Sequence, residues 1–104
     1  MAEDWRASIK RITAWFHGNL AMSERESRLM CAVELAGEAG ELVNVVKKII
    51  RDGGTPERMA ALELEVADVA ITLEMVAESF GVDVEQAVAR KLPILRMRWP
   101  DVWN

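Results

Sequence analysis

Turn-forming residues divide this 104-residue chain into four long pieces, and that division constrains the fold more than any other feature of the sequence. Glycine and proline mark turns at Gly18, at 53–56, at Gly81 and, near the C-terminus, at Pro93 and Pro100. Between these points apolar and polar residues do not alternate as they do in strands, and β-branched residues do not dominate. The sequence therefore predicts an all-α fold, a helical bundle of four main helices.

Capping signals give the expected bounds of each helix. Ser23-x-x-Glu26 is a capping box that opens the second helix, and Thr55 is the expected N-cap of the third. Asp83 caps the fourth helix, which Pro93 is expected to kink or end because proline lacks the donor for the carbonyl four residues earlier. The four expected helices run over about 4–16, 24–51, 56–80 and 84–92.

Length and composition limit the class of protein. The chain is expected to form a single domain over 1–104, and its net charge of −4 argues against binding nucleic-acid polymers. It contains no run of about 18 uncharged apolar residues, so no membrane span is expected. Residues 1–10 carry four charged side chains and no apolar segment of the kind that signal peptides have, which predicts a cytoplasmic location. Cys31, the single cysteine, is expected to be buried and inert.

Two pairs of acidic residues carry the chemistry that the sequence suggests. Glu38-x-x-Glu41 lies on the second expected helix and Glu65-x-x-Asp68 on the third. Residues three apart project from the same face of a helix, so antiparallel packing of these helices would gather four carboxylates around one point. Their mutual repulsion calls for a cation. Hard oxygen donors suit Mg²⁺ or Mn²⁺, which proteins often hold together with the phosphates of a substrate.

The same acidic pattern has a second interpretation. Glutamate is a good helix former, and the acids could be a solvated stripe on a non-catalytic dimerisation or adaptor module. The metal site is favoured because the two pairs lie on consecutive helices among apolar neighbours such as Leu62 and Val69. The only histidine, His17, lies outside both helices, which disfavours the Glu-x-x-His iron sites of ferritin-like bundles.

Three short motifs follow one another along the chain: ELAGEAGEL at 34–42, EVADV at 65–69, and Val88-x-x-Lys91. From about residue 15 to residue 100 the sequence resembles the MazG-like all-α nucleoside triphosphate pyrophosphohydrolases, whose signature is E-x-x-E followed by E-x-x-D. The resemblance implies hydrolysis of a (deoxy)nucleoside triphosphate to the monophosphate and diphosphate, by metal-activated water attacking the α-phosphate. A related pyrophosphatase acting on a phosphoribosyl nucleotide is a further alternative.

The resemblance also assigns roles to the acidic residues. It implies that Glu38, Glu41, Glu65 and Asp68 bind Mg²⁺ and that Glu34 assists, so that the catalytic carboxylates of the second helix are Glu34, Glu38 and Glu41. Chemical reasoning on these residues leaves two candidates, Glu34 and Glu41, for the carboxylate that accepts the proton from water.

Four further residues are candidates for substrate binding. On the second helix, Asn44 and Lys48 lie on the same face as Glu34, Glu38 and Glu41. Lys48 could bind a phosphate or simply complement the C-terminus of the helix. Trp15 and His17 lie in a segment that resembles the one lining the base pocket of the family. The four tryptophans together are expected mainly to pack the ends of the chain onto the bundle.

The end of the chain only partly follows the family pattern, which tends to be a Lys, then an Asn, then Arg-Tyr-Pro. Lys91 and Arg98 match it and are candidates for phosphate binding. Leu95 stands in place of the Asn and Trp99 in place of the Tyr, so the polar contact of that Asn is not expected here.

The second and third helices are apolar around most of their circumference. One chain of this length has too few helices to cover them. We therefore expect a homodimer, or a homotetramer built from dimers, in which partner chains complete the core.

Overall fold

The computed structural model describes residues 4–20 and 22–103. Within these residues all regular secondary structure is helical, with no strand. The helices are α1 (Trp5–Asn19), α2 (Glu24–Asp52), α3 (Pro56–Ser79) and α4 (Val84–Arg98), followed by a 3₁₀ turn over Pro100–Trp103. The all-α class with four main helices is thereby confirmed. None of the described helices is both long and apolar enough to cross a membrane.

The capping residues begin the helices as the sequence predicts. Ser23 Oγ accepts a hydrogen bond from the backbone N–H of Glu26 at 3.1 Å, and the Glu26 carboxylate accepts one from the backbone N–H of Ser23 at 3.4 Å. The side chains of Thr55 and Asp83 cap α3 and α4 by accepting a hydrogen bond from the backbone N–H of Arg58 and of Gln86, respectively. Each cap satisfies a backbone donor that the first turn of a helix leaves free.

Two helices continue past their expected ends. Helix α1 reaches Asn19 instead of Phe16, because the Asn19 side chain donates a hydrogen bond to the carbonyl of Trp15 at 2.8 Å and holds the last turn. Helix α4 passes through Pro93 and ends at Arg98, so its expected end near residue 92 is wrong. Pro93 removes the bond to a single carbonyl on an exposed part of α4, where water can take its place.

The α2–α3 hairpin is the main body of the fold. Its loop has only three residues, 53–55, so the two helices run antiparallel and contact each other along much of their length. Helix α1 packs mainly on α3. The buried apolar residues are Ile9, Cys31, Met75 and Ala77, and the first three of them, one from each of the first three helices, form a contacting core cluster. Cys31 is buried as predicted, and its burial raises the pKa of the thiol.

Helix α4 extends away from this body, and among the described residues its main contacts are with the 3₁₀ turn that follows it. A polar link joins its first turn to the other helices. The Arg6 guanidinium of α1 donates to Glu74 of α3 at 3.2 Å and to Glu85 of α4 at 2.7 Å. All four tryptophans are exposed on this single chain, so their expected packing onto the bundle is not found there.

The single chain exposes more surface than a compact monomer of the same mass. Its accessible surface is 7914 Å², whereas a compact monomer of this mass exposes about 5,900 Å². The radius of gyration is 16.8 Å, against about 13 Å for a compact domain of this length. Exposed large apolar side chains lie on all four helices.

Because the buried core is small, removing part of it should destabilise the protein strongly. Ile9 is only 3% exposed and contacts the cluster formed with Cys31 and Met75. We expect Ile9→Ala to lower the free energy of unfolding by about 2–4 kcal/mol in urea titrations, and Ile9→Val by about 1 kcal/mol. Equal effects of the two variants, or none, would contradict this assignment of the core.

Candidate metal centre

The acidic side chains of α2 and α3 meet in the middle of the hairpin. Glu38 lies at the centre of α2, and Glu65 and Asp68 lie on adjacent turns of α3. One carboxylate oxygen from each of these three residues lies within 4.8 Å of the other two. Antiparallel packing thus brings together three of the four predicted metal ligands. We call Glu38, Glu65 and Asp68 the carboxylate cluster.

Two oxygen atoms of the cluster are buried without a hydrogen-bond partner. They are Oε2 of Glu38 and Oε2 of Glu65. A buried carboxylate oxygen that loses water without gaining a donor or a cation is unfavourable. These two atoms therefore need a positively charged or proton-donating group beside them.

The cluster also shifts the protonation of its own members. Burial raises the pKa of Glu38, and the negative charges of Glu41, Asp68 and Glu65 raise it further. Burial raises the pKa of Glu65 as well, with added contributions from Glu41 and Asp68. Without a cation, the folded protein therefore favours protons on Glu38 and Glu65 more than the unfolded chain does.

Glu41, the fourth predicted ligand, is an exposed neighbour of the cluster. It lies outside the group of three atoms within 4.8 Å, but its carboxyl group is within hydrogen-bonding reach of both Glu38 and Glu65. Such a contact between carboxyl groups requires a shared proton, and it contributes to the raised pKa of Glu38 and of Glu65. Glu41 can therefore join the cluster by a change in its side chain alone.

The donor atoms fit a hard divalent cation. All are carboxylate oxygens, the ligand type that Mg²⁺ and Mn²⁺ prefer, and no cysteine or histidine belongs to the group. Oxygen atoms within 4.8 Å of one another could reach the roughly 2.1 Å bond length of Mg²⁺ after side-chain shifts of less than about 1 Å. The buried oxygens of Glu38 and Glu65 would then gain the partner that they lack.

The other predicted residues of α2 lie around the cluster rather than in it. Glu34 is exposed one turn before Glu38, and its negative charge contributes to the raised pKa of the Cys31 thiol. Asn44 and Lys48 are exposed one and two turns beyond Glu41. All three side chains are thus open to a ligand that approaches along α2.

Among the described residues, no hydrogen bond or ion pair joins the remaining candidates to the cluster. Lys91 and Arg98 lie on α4, which extends away from α2, and the Arg98 guanidinium lies 5.6 Å from the ring centre of Trp99. Trp15 and His17 lie on the last turns of α1. The Trp15 ring is more than half exposed and packs edge-to-face on the neighbouring Phe16 at 5.2 Å.

Arg6 is a polar residue that no sequence pattern singled out. Its two acidic partners are 68 and 79 residues away along the chain, and neither is part of a motif. Arg6, Glu74 and Glu85 line a cavity between α1, the end of α3 and the start of α4. Only the packing of the helices reveals such a contact.

Comparison of the chain with protein-family models, with curated proteins and with solved structures found no match.

The raised pKa values predict how stability depends on pH without metal. Because the folded state binds these protons more tightly, the two glutamates contribute stability fully below about pH 4, and this is lost as pH rises through their folded pKa. In EDTA, Glu38→Gln should therefore be more stable than the wild type at pH 8, with a difference that shrinks towards pH 4 in urea titrations.

Glu78→Gln is the matched control for this comparison, because Glu78 is an exposed acid of the same helix as Glu65 and Asp68 but lies outside the cluster. It should show no such gain at pH 8. A Glu38→Gln variant that is less stable than the wild type at every pH would show that the Glu38 carboxylate is not under repulsion.

Proposed function

We propose that this protein is a Mg²⁺-dependent nucleoside triphosphate pyrophosphohydrolase. The reaction converts a (deoxy)nucleoside triphosphate and water into the (deoxy)nucleoside monophosphate and diphosphate, with cleavage of the bond between the α-phosphorus and the bridging oxygen. The observation that carries the proposal is the carboxylate cluster, with two buried oxygens that lack a partner. The order of the acidic motifs at 34–42 and 65–69 supports the same activity through the family resemblance.

The proposed roles follow from the position of each side chain. Glu38, Glu65 and Asp68 would hold the cation, with Glu41 as a fourth ligand. A bound Mg²⁺ or Mn²⁺ would supply positive charge against the phosphate oxygens and lower the pKa of water. Glu34 and Glu41, both exposed beside the cluster, are the two candidates for accepting the proton from the attacking water.

Cations for the remaining phosphates are also available on the chain. Lys48 is exposed on α2 beyond the cluster, and Lys91 and Arg98 are exposed on α4. Because α4 extends away from α2, the last two would have to come from a different position of α4 or from a second copy of the chain. Trp15 and His17 remain the candidates for contact with the base.

We propose that the protein is a homodimer, or a homotetramer built from dimers, in which partner chains complete the core. The surface exposed by one chain exceeds that of a compact monomer by about 2,000 Å². Obligate dimers bury about 2,000–5,000 Å² in total, so this excess is of the right size for one.

The exposed apolar surface also favours a second candidate function, a non-catalytic dimerisation or adaptor module. That candidate predicts the same exposed helix faces but gives the carboxylate cluster no ligand. Binding of a divalent cation distinguishes the two candidates.

The activity is tested by incubating the purified protein with Mg²⁺ and a panel of canonical and modified nucleoside triphosphates, plus a phosphoribosyl nucleotide, and measuring diphosphate release. We expect Asp68→Asn to lower kcat at least 100-fold, because it removes a charged ligand from the cluster. Glu78→Gln, the control acid outside the cluster, should keep wild-type activity. Full activity in Asp68→Asn would refute the site, and an inactive wild type on the whole panel would refute the proposed function.

Cation binding is tested separately from activity. At a free Mg²⁺ concentration about 100 times its Kd, the free energy of unfolding should rise by about 2.7 kcal/mol. Asp68→Asn should lose this gain, whereas Glu78→Gln should keep it, as followed by thermal or urea unfolding at pH 8. If neither Mg²⁺ nor Mn²⁺ stabilises the wild type at millimolar concentration, the adaptor function is favoured instead.

A further inference from the structure

One face of α2 carries an uncovered apolar stripe with the spacing of a coiled coil. Its members follow one another at alternating intervals of four and three residues, and every one of them is exposed. Leu29 is 66% exposed and Ile50 is 80% exposed, although both are large apolar side chains. We call this set the outer stripe: Leu29, Val33, Ala36, Gly40, Val43, Lys47 and Ile50.

The outer stripe points away from the rest of its own chain. At about 100° per residue, its centre lies roughly 150° around α2 from the face that carries Cys31 and Glu38. That other face packs against α3 and is buried or half-buried. Helix α2 is therefore apolar on two opposite sides, of which one chain covers only one.

The stripe is shaped for the close crossing of a second helix. Its smallest members, Ala36 and Gly40, lie near the middle of the 29-residue helix, and larger side chains lie towards both ends. Small residues let two helix backbones approach at their crossing point, whereas larger ones fill the widening gap on either side. The apolar spacing repeats over three heptads, as in helices that pair along a seam.

The glycine within the stripe leaves room for a second backbone at the crossing. A glycine in the middle of a helix is less favourable than alanine by about 1 kcal/mol, so its presence needs a reason. A side chain built at Gly40 would meet no atom of its own chain within 4 Å. Packing inside the chain therefore does not require glycine at this position, but close approach by another backbone would.

We propose that two copies of this chain pair through their outer stripes, with the two α2 helices antiparallel and crossing at Gly40. This proposal rests on the dimer of the proposed function and names its contact surface. The chain as a whole exposes about 2,000 Å² more than a compact monomer, an excess in the range that obligate dimers bury, and the outer stripe is part of this exposed surface. The stripe is self-complementary about its centre, because antiparallel pairing brings Leu29 of one copy to Ile50 of the other.

The charge of Lys47 selects the antiparallel direction. Lys47 is the only charged member of the outer stripe. Parallel pairing in register would bring Lys47 against its own copy, with two positive charges at one level. Antiparallel pairing about Gly40 separates the two lysines by about 20 Å along the helix axis, and it also aligns the helix dipoles favourably.

Glu38 lies on the reverse side of α2 from the outer stripe. Each copy would therefore keep its own carboxylate cluster, on opposite sides of the paired α2 helices and at nearly the same level as the crossing.

Disulfide cross-linking tests both the surface and the direction. In a Cys31→Ala background, Gly40→Cys should form a cross-linked dimer under mild oxidation, whereas Lys48→Cys, on another face of α2, should not. A mixture of Leu29→Cys and Ile50→Cys chains should cross-link to each other and not to themselves. Self-linking of Leu29→Cys would show parallel pairing, and no link at Gly40 in a protein that is dimeric by light scattering would place the interface elsewhere. Both outcomes overturn the proposal.

Light scattering of leucine variants gives an independent measurement. Gly40→Leu should convert the dimer to a monomer that remains helical by circular dichroism, because the added side chain has open space within its own chain. Gly37→Leu makes the same change at a glycine with equally open space off the stripe, and it should leave the dimer intact. A wild-type protein that is monomeric at micromolar concentration would refute this interface whether or not it hydrolyses nucleotides.

Discussion

Repulsion among carboxylates at the contact between α2 and α3 is the constraint on which the rest of the structure depends. Glu38 and Glu65 lie half-buried between two helices that the core and a three-residue loop hold in register, so they cannot relax by moving apart. Folding alone makes their ionisation harder, as their raised pKa values show. The hairpin therefore maintains an unfavourable arrangement that a proton or a cation can relieve, which is the physical basis of the metal site that we propose.

The forces that oppose this repulsion are modest within one chain. The buried core cluster where the first three helices meet has only three side chains, Ile9, Cys31 and Met75, and it lies towards one end of the hairpin. The acidic cluster occupies the middle, and long apolar faces remain open to solvent. A second copy of the chain would add apolar contacts to the α2 helices that hold the cluster together, which links the proposed assembly to the proposed site.

The sequence predicts the parts of this structure that depend on local chemistry. Ser23, Thr55 and Asp83 begin their helices because a capping hydrogen bond involves only residues two or three positions away. The meeting of Glu38 with Glu65 and Asp68 could also be predicted, because helical spacing and a short hairpin fix which faces oppose each other. Contacts between distant residues, such as that of Arg6 with Glu74, leave no local signal and were not predictable.

The sequence-based predictions that differ from the structure also fail where contacts beyond the local sequence decide the outcome. Local rules predict that Pro93 disturbs or ends α4, but an exposed helix can lose one hydrogen bond to water and continue to Arg98. The tryptophans were assigned to packing by their size, although the position of α4 and of the chain ends decides whether anything covers them. Three members of the outer stripe, Ala36, Gly40 and Lys47, are small or charged, so its coiled-coil spacing emerged only with the exposure of each residue.

The brevity of the loop at 53–55 has a consequence for how proteins of this design can vary in length. Because the loop has no slack, one residue inserted into either helix between the cluster and the loop would rotate a carboxylate by about 100° and move it by about 1.5 Å. Additions to the hairpin must therefore come in matched amounts, close to a full turn on each helix. Helix geometry therefore restricts the number of residues between the two acidic motifs, whereas the length of the chain outside the motifs is not restricted in this way.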